Sequence, residues 1–166
     1  MSVWTNEDGL KVPFNLASAK QQESGATAVA ATRQMIIYYN SQDVGDLETA
    51  GNTSGREAFI PGNAYITRAS FLVDTAFTSG GTTTLTIGLA EADGTPIDAD
   101  GIDATIAKTA LDAIGDVVAC DGALVAGVLQ AGGASGASKE GYVYFTTASG
   151  PWTAGAGRLV IEYVVA

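Results

Sequence analysis

The chain is predicted to be mainly β: an antiparallel β-sandwich of jelly-roll type. Three observations carry this. Apolar residues alternate with polar ones over five separate stretches, glycine-rich segments punctuate them, and only one stretch has helical spacing. With 166 residues, the chain is the size of one domain and buries a core without disulfides or metal.

The first stretch, "RQMIIYYN", puts Met35, Ile37 and Tyr39 on one face and Gln34, Ile36 and Tyr38 on the other. In "YITRASFLVDTAF", Ala69, Phe71, Val73 and Phe77 share a face, opposite Arg68, Ser70 and Asp74. In "TTTLTIGLA", Leu85, Ile87 and Leu89 alternate with Thr84, Thr86 and Gly88. "GYVYFTTA" sets Val143 and Phe145 against Tyr142 and Tyr144. "RLVIEYVVA" sets Leu159, Ile161, Tyr163 and Val165 against Arg158, Val160, Glu162 and Val164. β-Branched and aromatic residues at such spacing suit half-buried strands. The exception is "DATIAKTALDAIG". There Ile106, Ala107, Ala110, Leu111 and Ile114 recur at helical spacing, with Asp103 as N-cap and Gly115 as C-cap, which predicts a short helix near residues 103–114.

Residues 1–32 read as an N-terminal arm before a β-sandwich domain at 33–166. "NLASAKQQESGATAVAAT" is small and polar, but Trp4, Leu10, Val12 and Phe14 give its start large apolar handles. These four are candidate anchors on a partner, and Tyr142 and Tyr144 are candidate contacts on the domain. The opening "MSVWTNEDGLKVPF" lacks the basic and apolar regions of a signal peptide, so synthesis in a cytoplasm without export is expected.

Charge and composition exclude several functions. Eighteen acidic and eight basic residues give a net charge of −10, which disfavours nucleic acid and anionic membranes. The absence of histidine removes Ser-His-Asp and Cys-His catalysis and histidine-ligated zinc. The single cysteine, Cys120, sits in an apolar run and reads as a buried core residue. No cofactor motif and no metal site is expected, and the protein is read as non-enzymatic.

"ADGTPIDADGID" holds Asp93, Asp98, Asp100 and Asp103. Asp98 and Asp100 alternate as in a calcium loop and Asp103 follows three residues on, but the glycine comes too early and the distal glutamate is missing. Asp93-Gly94 and Asp100-Gly101 read instead as tight turns. A glycosidase pair would need an acid in an apolar pocket, which this polar stretch does not suggest.

Three blocks carry a resemblance. "NEDGLKVPF", "ITRASFLVDTAFTSGGTTTLTIGLAEADGTPIDADGI" and "WTAGAGRLVIEYVV" resemble the opening, central and closing strands of small virion proteins from tailed bacteriophages, of the capsid decoration (cement) or head-surface type. The resemblance implies a structural protein on the capsid surface. Its partners would be the major capsid protein and copies of itself, as a homotrimer at three-fold or quasi-three-fold sites. It transfers no catalytic residue. Two alternatives remain: a head- or tail-fibre subunit, and a carbohydrate-binding sandwich using Trp152, Tyr142 and Tyr144 as exposed platforms.

Overall fold

The computed structural model describes residues 3–5, 11–13, 32–42, 59–62, 64–126 and 140–165. Two compact units divide the chain, Met1–Ala31 with Ala166, and Thr32–Val165. In the first unit, β1 (Val3–Thr5) pairs antiparallel with β2 (Lys11–Pro13), with Trp4 opposite Val12.

The second unit contains β3 (Arg33–Asn40), β4 (Phe59–Ile60), β5 (Ala64–Thr78), β6 (Thr84–Ala90), β7 (Pro96–Ala107), β8 (Val117–Ala119), β9 (Gly141–Ala148) and β10 (Ala154–Val165). They form two four-stranded sheets, ordered β3-β10-β5-β8 and β4-β9-β6-β7. The pairings follow one rule: β3 meets β10, β4 meets β9, β5 meets β8 and β6 meets β7, all antiparallel. This is a long antiparallel hairpin rolled onto itself, the jelly roll. The predicted sandwich is therefore present.

The inner face read from the alternation lies in the core, whereas Ser70 and Tyr144, read as outward, are also shielded. Phe71, Leu85, Ile87, Leu89, Phe145, Leu159 and Ile161 are all 0% exposed between the sheets. An aromatic cluster ties the layers together. Tyr39 of β3 stacks on Phe145 of β9 with centroids 4.6 Å apart, and Phe77 meets Trp152 edge-on at 5.1 Å. Cys120 is buried with the core, as expected.

The predicted helix at 103–114 is replaced by strand. β7 continues to Ala107, a single 3₁₀ turn covers Lys108–Ala110, and no side chain caps it. The reason lies in long-range pairing. Ile106 sits opposite Leu85 and Leu111 enters the core, whereas Ile114, which a helix would have buried, is 74% exposed. Gly115 is in the left-handed region, with φ +89°, but lies within the turn closed by Asp116 N–H to Ala113 O and donates its own N–H to Val73 O. Helical spacing alone could not outweigh a sheet ladder and two core positions.

Candidate interaction surfaces

The two sheets present different outer faces. On the sheet β4-β9-β6-β7, the strands carry no lysine or arginine, while Glu91, Asp93, Asp98, Asp100 and Glu140 lie on or beside them. Asp93-Gly94 makes the expected turn between β6 and β7. Gly94 N–H donates to Glu91 O at 3.0 Å, Thr95 N–H donates to Asp93 Oδ1 at 2.9 Å, and Gly94 has φ +91°.

Asp100-Gly101 is not a turn. It lies inside β7, where the register against β6 jumps from Leu89–Asp98 to Ile87–Asp103. The surplus residues form a bulge that folds over Gly88: a Cβ there would lie 2.3 Å from Ala99 O. Asp103 caps no helix. It is 4% exposed, and its Oδ1 accepts the Thr105 N–H at 3.0 Å. Burial raises the pKa of Asp103 above the usual carboxylate value, and burial followed by the contact with Asp100 raises that of Asp98. Among the described residues, no three His, Cys, Asp or Glu side chains are grouped to hold a metal ion. The Cys120 thiol is pushed up to about 12, by burial and then by Asp103 and Asp121, so it stays protonated and unreactive near neutral pH.

The bulge also decides the fate of the tyrosines. Tyr144 pairs with Gly88 and is 5% exposed; burial first, then the charges of Asp98 and Asp100, raises its pKa. It therefore offers no open platform. Trp152 is 6% exposed and belongs to the core, so the expected sugar platform loses two of its three aromatics. Tyr142 does lie on the outer face, 6.0 Å from Phe59 and beside Glu140, in an acidic hollow of about 350 Å³. Trp4 and Val12 face each other across β1 and β2, but their side chains, and Leu10 and Phe14, lie outside the described residues.

The outer face of β3-β10-β5-β8 is different. The register builds two cross-sheet rows, Ile36–Val160–Ser70–Ala119 and Tyr38–Arg158–Leu72–Val117. Tyr38 is 70% exposed, Val117 60% and Ile36 47%. A groove of about 250 Å³ crosses the rows between Arg68, Leu72, Val117 and Glu162, with the shielded Ser70 Oγ unpartnered on its floor among the described residues. Charges on this face are balanced: Arg158 grips Asp74 through Nη2 at 2.8 Å and Nε at 2.9 Å, and Arg68 sits opposite Glu162. Sequence alternation had placed Ile36 and Tyr38 on a common face. The missed signal was that two large apolar residues stood where a solvated strand has polar ones.

No family model and no curated protein matches the chain. Two solved structures share its fold. A chain in the acidic stable capsid structure of Helicobacter pylori bacteriophage KHP30 is 14% identical with a TM-score of 0.53, covering 81% of this chain and 88% of that one. A chain in the capsid of Ralstonia phage GP4 is 20% identical with a TM-score of 0.52, covering 84% and 86%.

Proposed function

We propose that the protein is a non-enzymatic structural component of a phage virion, a decoration (cement) protein that binds the major capsid protein shell from outside. One observation carries the reading: the eight-strand jelly roll matches, over more than four-fifths of each chain, chains found in two phage capsid structures. The chemistry agrees. The protein has no histidine, an inert thiol and a strongly acidic composition that repels packaged nucleic acid. The shell contact is assigned to the N-terminal segment, through Trp4, Leu10, Val12 and Phe14. Burying each such side chain is worth roughly 1.5–3 kcal/mol before the cost of ordering the segment.

The test is quantitative mass spectrometry of purified virions, with shells reconstituted from full-length and residue 1–20 deleted protein. Copy numbers comparable to the major capsid protein, and lower shell occupancy on deletion, are expected. Absence from virions, or the handful of copies typical of a tail or fibre part, would overturn it. The homotrimer implied by the resemblance is tested by native mass of the protein released from shells, where three chains, or six if two trimers pair further, would bear it out.

A further inference from the structure

The jelly roll has four sheet edges, and they differ. β8 is three residues long and β4 two, too short to template another strand. β7 is long but guarded: three register shifts break its ladder, and Asp98 and Asp100 lie along it outside the core. β3 has none of these protections. It pairs with β10 through eight consecutive partners without a shift, and "RQMIIYYN" contains no proline, lysine, aspartate or glutamate. Among the described residues β10 is its only strand neighbour. It also carries Ile36 and Tyr38, 47% and 70% exposed.

The geometry points to the β3 edge as a self-association site, where β3 of a second copy pairs antiparallel about a two-fold axis normal to the sheet. Such an axis keeps both outer faces on the same side, so outward residues must oppose outward residues. Centring it on Ile37 sets Ile36 opposite Tyr38 of the second copy, and Tyr38 opposite its Ile36. These are aromatic–β-branched rungs, the kind that stabilise a ladder. Gln34 then faces Asn40, and Arg33 faces Ser41, so no like charges meet. The two copies of Arg33 stand roughly 27 Å apart at about 3.4 Å per residue, well beyond the screening length of about 8 Å. Moving the centre to Ile36 would instead set Tyr38 against Gln34.

Charge favours a second copy as the occupant. Two molecules of net charge −10 repel wherever their acids approach, and residues 32–42 carry one arginine and no acid. Pairing there joins the two four-stranded sheets into one continuous sheet, with the acidic sheets kept away from the contact. The inference concerns chain–chain contact and stands apart from shell binding, so either can fail alone.

Sedimentation velocity and disulfide trapping on the full chain test it. At about 100 μM, the wild type should sediment as a dimer or an even multiple. The I36K/Y38K double variant, substituted only at exposed positions, should keep its circular dichroism and dissociate at least about tenfold more readily. Under oxidation, a mixture of I36C and Y38C proteins should cross-link between positions 36 and 38, while neither alone does so; Cys120 is buried and does not compete. A monomeric wild type, a purely trimeric one, association unaffected by I36K/Y38K, or cross-linking of I36C alone would overturn the proposal.

Discussion

The two outer faces of the sandwich are built from the same alternation but end in different states. The β4-β9-β6-β7 face is acidic, and the β7 bulge covers Tyr144 above Gly88. The β3-β10-β5-β8 face leaves Ile36, Tyr38 and Val117 open, balances its charges, and ends in a regular edge. Burial of the inner face is common to both, so folding alone does not account for the difference. One face carries devices that discourage contact, and the other lacks them.

The largest expected effect removes what both sheets share. Phe145→Ala empties the centre of the aromatic cluster and should cost about 3–5 kcal/mol. A denaturant midpoint that barely moves would show that the cluster does not hold the layers together. Next is the cover on the acidic face. In Gly88→Val, the new side chain collides with backbone at Ala99, and a destabilisation of about 1–3 kcal/mol is expected, with Tyr144 becoming accessible to iodination. Unchanged stability with Tyr144 still protected would remove the bulge from the account.

Much of this was legible beforehand, for a definite reason. Period-two alternation depends on local sequence, so Phe71, Leu85, Phe145 and Leu159 could be assigned to the core directly. The pairing order was legible only as a class, because β3 and β10 are joined by contacts more than a hundred residues apart in sequence. The segment 103–114 misled because Ile106 and Leu111 fit either a helix or a strand entering the core, and only the partner Leu85 decides. Asp100-Gly101 misled similarly: the pair suits a turn or a bulge, and Gly88 on another strand selects the bulge. On the open face, Ile36 and Tyr38 were visible in the pattern, but the edge position of β3 was not.

Smaller effects sharpen the electrostatic contrast. Asp98 and Asp103 have pKa values above 3.8 in the folded protein, so they hold protons at pH values where the unfolded chain has released them. Stability should therefore rise as pH falls from neutral through the raised values, and this gain should level off below the unfolded value. Asp103→Asn keeps the acceptor for Thr105 N–H and removes the buried charge. Its melting temperature should exceed wild type at pH 7, with the excess fading on acidification. A pH-independent difference would refute the assignment. On the other face, Asp74→Asn breaks the pair with Arg158, both more than a third exposed, and should cost only about 0.2–1 kcal/mol, less in high salt. Smallest of all, excess calcium or chelator should leave the melting temperature unchanged, since the four aspartates serve a turn and a bulged strand. A rise of several degrees with calcium would contradict that reading.

The most direct measurement is a side-chain-resolution density map of the intact virion. It should show the β3 edge and the Ile36–Tyr38 face buried against another copy, with Asp93, Asp98, Asp100 and Glu140 toward solvent. A map with β3 in open solvent and the acidic β7 face buried in the contact would contradict the account.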